Sequence, residues 1–325
     1  MATLEDVAKR AGCSVATASR VLSDKGAVSD SARRRVTKAA AELGYRASVI
    51  AAGRVARRPV VGLLIPSITN PVFATSVSII QNRMLVAGHG VLIAQSNYDP
   101  AQEANAIAAL LNEGPTGLIL TLCDAASYKP PITDMPPTVL MHNRPTAAFA
   151  AAVTTDNFAA SRMITRHMIA HGHSRILFVS GSFAASDRAR HRYEGHVEAM
   201  RHAGLEPIPA VEIGFTEYDR LDLGEALRLT QPTAIIASND LLALGVIGAL
   251  KREGLSVPGD VSVAGFDGIS IGRLIDPVLT TIEMPDVSMG AAAASLLLDI
   301  AENGAPARHL DVPFTMRPGG TVRAI

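Results

Sequence analysis

Ser14, Thr17 and Ser19 set three hydroxyls within six residues, and Arg20 adds a guanidinium beside them. Hydroxyls donate to phosphate oxygens, and a guanidinium reaches either a phosphate or the O6/N7 edge of guanine. Val15 and Ala16 are small enough to let the backbone between these groups approach base edges, and Ser23 continues the polar series. A second chemistry is spread along the rest of the chain. Polar residues cluster at 67–73, 96–99, 121–124, 142–144 and 180–187, at Asn239-Asp240 and at Asp267, each time just after an apolar run. Carboxylates, amides and guanidinium groups around one cleft suit a hydroxylated ligand, because together they give and accept hydrogen bonds. Asn70, Asn143, Asn239 and Asp267 are the candidate contacts of this kind. Phe73, Phe215 and Tyr218 are candidate stacking faces. Asp240 and Asn157 also sit where they could cap their helices.

The first group needs two short helices to position it. Residues 4–11 carry apolar side chains at helical spacing, Gly12 suits a left-handed cap, and Ser14 suits the N-cap of a second helix over 15–22. Two short helices joined by a Gly-containing turn form a helix-turn-helix. A third helix is expected over 31–43, capped by Ser29 or Asp30 and closed by Gly44. Val36, Ala39, Ala40 and Leu43 supply its inner face, leaving Arg33, Arg34, Arg35 and Lys38 for solvent or phosphate. Charge is segregated. Residues 1–58 hold twelve Lys/Arg against five Asp/Glu, a net +7 in a chain that is neutral overall, so 59–325 carry −7. A basic headpiece fits the phosphate backbone.

From Pro59 the pattern changes. Apolar runs of strand length at 60–65, 90–95, 117–121 and 138–141 alternate with helical stretches at 72–87 and 101–112. The alternation then restarts, with strands at 175–179, 210–213, 234–237 and 261–264 and helices at 158–171, 188–203, 221–229 and 240–253. Continuous apolar strands separated by helices give parallel, doubly wound α/β sheets. Two such units in tandem predict a two-lobed core. In open parallel sheets ligands bind outside the carboxyl ends of the strands, where the polar clusters lie.

Other functions lack their motifs. There is no Gly-x-Gly-x-x-Gly after a strand, no phosphate loop and no Gly-x-Ser-x-Gly elbow, so no enzyme and no cofactor is expected. His167 and His171 stand at i, i+4, but no glutamate follows the first histidine as in a catalytic zinc helix, and no metal is expected. Cys13 and Cys123 make no disulfide framework and fit a reducing cytosol. The N-terminus is charged rather than signal-like, and no apolar run reaches the roughly 18 residues of a membrane span. A cytoplasmic protein is expected.

The ungapped stretch Thr3-Leu4-Glu5-Asp6-Val7-Ala8-Lys9-Arg10-Ala11-Gly12-Cys13-Ser14-Val15-Ala16-Thr17-Ala18-Ser19-Arg20-Val21-Leu22 resembles the signature of the lactose-repressor (LacI) family of bacterial transcription regulators. The likeness continues at 66–73, Asp156-Asn157, 237–245, 263–267 and 279–282. It implies a headpiece over 1–44, a hinge over 45–59 and an effector-binding, dimerising core over 60–325. The chain would cross three times between a first lobe (about 60–157 plus 286–316) and a second (about 158–285 plus 317–325), with helix 287–302 and strand 310–312 returning to the first. By the same resemblance Arg192, three residues before Gly195, matches the family's effector-clamping arginine, and Asn239 and Asp267 match its effector-contacting asparagine and aspartate.

The hinge departs from the family pattern. Tyr45-Arg46-Ala47-Ser48 replaces the usual Tyr-x-Pro-Asn, and Arg54, preceded by Gly53, stands where a minor-groove leucine wedge is usual. Arg54 could read a narrow minor groove by charge, and Ile50 and Val55 are alternative wedges. The implied function is repression from a pseudo-palindromic operator by a homodimer, under control of a small effector. The tail over 314–321 is similar to the ending of gluconate-type members, which points to a sugar or sugar acid. A purine or phosphorylated sugar is the alternative effector. A solute-binding protein would share the core but has no use for a basic head. The chain ends without the leucine-heptad tail of tetrameric members, so a dimer is expected.

Overall fold

The computed structural model describes residues 2–23, 28–43, 45 and 58–325. The chain divides into two compact units, 1–59 and 60–325. In the first, α1 (Leu4–Ala11) opens with a capping box in which Thr3 and Asp6 satisfy each other's backbone N–H groups. It ends at Gly12, whose φ of 60° is the left-handed cap that glycine adopts without steric penalty. The Ser14 hydroxyl accepts from Thr17 N–H at 3.1 Å and caps α2 (Val15–Ser23). Ser29 caps α3 (Asp30–Glu42). Val7, Ala8, Ala11, Ala18, Val21, Val36, Ala39 and Ala40 close a small core between the three helices. Arg35 is exposed as expected, and its Nε also donates to Ala11 O at 3.2 Å, tying α3 to the end of α1. Residues 46–57 of the hinge, with Ile50, Gly53, Arg54 and Val55, lie outside the described residues.

The second unit opens with β1 (Val60–Ile65), α4 (Pro71–Val86), β2 (Gly90–Gln95), α5 (Pro100–Asn112), β3 (Gly117–Leu120), β4 (Thr138–Met141) and β5 (Ala152–Thr154). The chain then crosses to the second lobe with α6 (Asn157–Ala170), β6 (Ile176–Gly181), α7 (Asp187–His202), β7 (Val211–Ile213), α8 (Gly224–Thr230), β8 (Ala234–Ala237), α9 (Asp240–Arg252), β9 (Ser262–Asp267) and β10 (Thr280–Glu283). It returns through α10 (Asp286–Asn303) and β11 (His309–Asp311), and crosses a third time to β12 (Thr315–Arg317). The first sheet runs β11-β5-β4-β3-β1-β2 and the second β12-β10-β9-β8-β6-β7. Every pairing is parallel except β10 with β12.

Alternate residues of β1 face opposite layers, as strand pleating requires. Val61, Leu63 and Ile65 pack with α4 and α10, while Leu64 packs with Ile107 and Leu110 of α5. The second lobe repeats this, with Leu242, Val246 and Leu250 of α9 on one face and Ile164, Met168 and Met200 of α6 and α7 on the other.

Three strands escape the sequence pattern. β5 and β12 are only three residues long, and β10 was legible only as a stretch resembling the family. β12 also corrects a boundary. The resemblance implies a first-lobe place for Thr315 and Met316, but they pair with Glu283 and Ile282 in the second sheet.

Candidate functional site

On the headpiece, Ser14, Val15, Ala16, Ser19 and Arg20 are exposed and Thr17 is half-buried, while Ala18 and Val21 point inward. The small and polar side chains of α2 thus share its outer surface. The Ser14 and Thr17 hydroxyls lie 2.9 Å apart. Ser23 ends α2.

In the core, the strands' carboxyl ends from both lobes face one cavity, with an empty volume of about 410 Å³. Asn70, Phe73, Tyr98 and His142 reach it from the first lobe. Ser186, Arg188, Arg192, Phe215, Ser238, Asn239 and Asp267 reach it from the second. A larger open depression of about 1280 Å³ lies among Pro130, Pro131, Pro136 and their neighbours, away from these groups.

Asn70 and Asn239 serve two roles. Each caps a helix through Oδ1, to Val72 N–H at 3.1 Å and Leu242 N–H at 2.7 Å, and each lines the cavity. The Asn70 amide also donates to the Tyr98 hydroxyl at 3.2 Å. Arg192 is the most heavily bonded group. Its Nε donates to Asn157 Oδ1 at 2.8 Å, and its Nη1 donates to the Ser238 carbonyl and to Asp267 Oδ1, the latter at 3.2 Å. Its guanidinium lies 4.7 Å from the centre of the Phe266 ring. Asp240 and Asn157 are not the caps they could have been: Asn239 and Asp156 take that role. Asn157 holds Arg192, and the buried Asp240 accepts from Thr281 Oγ1 at 2.6 Å and Ile269 N–H at 2.9 Å.

Burial sets the charges here. It pushes the Asp267 carboxyl up to about 6 against the pull of Arg192, and raises Asp240 and Asp286 to about 8, each helped by the field of Asp267. Burial lowers His142 to about 3, with Arg188 and Arg192 acting in the same direction, so the imidazole is neutral. Three cavity residues have positive φ: Tyr98 (58°), His142 (71°) and Asp267 (105°). Such backbone is costly for side chains other than glycine and collects at functional sites.

Two expected contacts lie elsewhere. Asn143 is buried behind the cavity, where its amide brackets Leu122 N–H and O at 2.8 and 3.0 Å and donates to Asp187 Oδ2 at 2.9 Å. Tyr218 sits in a 3-10 turn against the second-lobe core, with its carbonyl over Gly245 of α9. Phe215, on the same connection, takes the cavity position instead. Arg188 carried no sequence signal and is buried in the wall. Tyr98, His142 and Ser186 lay within the polar clusters without standing out from them.

A basic three-helix headpiece joined to a two-lobed α/β core with a polar interlobe cleft defines a nucleic-acid-binding protein with a ligand-binding core. Residues 3–48 match the model for bacterial regulatory proteins of the lacI family, and residues 165–322 match a periplasmic binding protein-like domain. The HTH-type transcriptional regulator GntR of Escherichia coli K12 is 32% identical, over 98% of each chain. The ribose operon repressor of Halalkalibacterium halodurans is 32% identical over 92% of this chain and 90% of its own. The crystal structure of the transcription regulator GntR from Chromobacterium violaceum superposes with a TM-score of 0.71 at 26% identity, covering 81% of this chain and 98% of that one. The chain belongs to the lacI family of bacterial regulatory proteins. It is a DNA-binding transcriptional regulator and not an enzyme, and full-length likeness to other regulators sets aside the solute-binding alternative. Among the described residues no helix is long and apolar enough to cross a membrane.

Proposed function

We propose that this regulator represses transcription from the cytoplasm as a homodimer on pseudo-palindromic operator DNA, and that a sugar or sugar acid in the interlobe cleft sets its operator affinity. The observation that carries this reading is the convergence of Asn70 from one lobe with Arg192, Asn239 and Asp267 from the other on a single small cavity. Groups on both lobes let one hydroxylated ligand bridge them, so binding changes the preferred lobe arrangement, a coupling typically worth about 1–3 kcal/mol. That a relative is a ribose operon repressor supports a sugar-like effector. Ser14, Val15, Ala16, Thr17, Ser19, Arg20 and Ser23 are the proposed operator contacts on α2, with Arg54 in the hinge.

The test separates the units. Deleting residues 1–58 is expected to abolish operator binding in a gel-shift assay while leaving the thermal shift given by an effector intact. Operator binding by the deleted protein would refute the division of labour. A monomer in light scattering would refute the dimer.

A further inference from the structure

We infer that Arg188 is the specificity-determining residue of the cleft, and that the effector is a hydroxylated monocarboxylic acid whose carboxylate takes the guanidinium nitrogen Nη2. This rests on the cleft being the effector site.

Arg188 is 6% exposed and lines the cavity. Its Nη1 donates to the Leu122 carbonyl at 2.7 Å, across the lobe boundary, and to Asp187 Oδ1 at 3.2 Å. Its Nη2 is buried and has no hydrogen-bond partner among the described residues. A guanidinium nitrogen can only donate, and a buried charged donor without an acceptor is costly. Most carboxylate oxygens nearby are engaged, and none takes Nη2. Asp267 Oδ1 takes Arg192, while Asp187 takes Arg188 Nη1 on one oxygen and Asn143 and Ala125 N–H on the other. An incoming ligand must supply the acceptor. A charged acceptor makes a shorter and roughly twice as strong a bond as a neutral one. His142 Nε2, also buried, partnerless among the described residues and on a cavity-lining residue, is a second atom that a carboxylate's other oxygen can take.

The charge is held to one. Asp187 and Asp267 already face Arg188 and Arg192, so two carboxylates stand beside the two guanidinium groups. A doubly charged phosphate ester would meet the field of those carboxylates. Because one nitrogen of Arg188 holds the first lobe's backbone, a carboxylate on the other joins ligand recognition to lobe closure.

The experiment is calorimetric titration of the full-length protein with gluconate, glucuronate and galacturonate. Each is compared with its neutral counterpart, glucitol, glucose or galactose, and glucose 6-phosphate is included. At least one acid should bind about tenfold or more tightly than its counterpart, the margin of a charge-assisted bond. Arg188→Met should collapse that margin and Arg188→Lys should recover part of it, with melting curves showing that both fold. If Arg188→Met does not fold, the Arg188→Lys comparison alone decides. A neutral sugar binding as tightly as its acid, a phosphate ester binding more tightly, or no acid binding overturns the inference. A neutral sugar or phosphate ester that binds and is lost on Arg192→Ala overturns only the acid preference and leaves the cleft as the effector site. Failure of every compound counts against both.

Discussion

Tyr98 of the first lobe and Phe215 of the second stack face to face across the cleft, with ring centres 4.1 Å apart and planes 9° from parallel. The Asn70 amide holds the Tyr98 hydroxyl, and the Phe215 ring lies over Gly181, where any Cβ would collide with it. The pair closes the cleft with side chains from opposite lobes. Phe215→Ala removes about 0.5–1.5 kcal/mol of ring contact beyond simple burial. A several-fold faster effector release in stopped-flow measurements is the expected outcome. An unchanged rate would show that the stack does not gate the cleft.

Arg192 and Asp267 are each about nine-tenths buried and are joined to each other. Arg192→Ala leaves Asp267 buried without its cation, so the carboxyl is forced toward its protonated form, and breaking a buried pair costs about 3–5 kcal/mol. The variant core should melt well below the parent and lose effector binding. Asp267→Asn, which strands a cation instead, should also lose the effector. Parent-like melting of Arg192→Ala would show that the pair is not important to stability.

Stability should fall on the alkaline side. Asp240 and Asp286 have folded values near 8 against an ordinary 3.8, so the fold keeps protons that the unfolded chain releases. Their stabilisation is present at low pH and is lost as pH rises through the folded values. Buried His142 and His196, lowered to about 3 and about 4, act oppositely and cost stability as pH falls below about 6.5. Between about 6.5 and 8 these histidines are neutral in both states, leaving the carboxyls to dominate. The melting temperature should therefore drop from about pH 6.5 to about pH 8.5. Asp240→Asn keeps an acceptor for Ile269 N–H and should flatten that slope. An unchanged slope would remove Asp240 as its source.

On α2, Val15 and Ala16 are exposed and lie outside the headpiece core. Exchanging them should change which operators are selected from a random library without changing the headpiece melting temperature. Arg20→Ala should weaken operator binding by about 1–3 kcal/mol. A uniform loss across sequences with a shallower salt dependence would place Arg20 on phosphate, and a loss confined to one base position would place it on guanine.

Much of this architecture was legible because local signals agree with the fold. Gly12 and Ser14 mark a helix end and a helix start by side-chain chemistry alone, and the uninterrupted apolar run of β1 reads as a strand buried on both faces. The cavity was legible only in part. Asn70, Phe73, Arg192, Asn239 and Asp267 line it as expected, but Asn143 and Tyr218 are one layer away. Loop geometry decides such cases. Phe215 and Tyr218 share one connection, and the close approach of the Tyr218 carbonyl to Gly245 fixes which ring faces the cleft. Arg188 gave no signal because its role depends on Leu122 and Asp187, and Leu122 is distant in the chain. The positive φ angles at Tyr98, His142 and Asp267 follow from tertiary constraint, not residue type.

The third crossing has a consequence for synthesis. Each sheet takes one edge strand from the last part of the chain: β11 completes the first, and a few residues later β12 completes the second. Thr321 and Arg323 then bond back to Thr280 and Ser262. Neither lobe has its full complement of strands until translation has passed Asp311. A ribosome stalled ahead of that point holds two unfinished sheets, not one finished lobe and one unfinished. The headpiece, whose core uses only residues before 46, can already be folded by then.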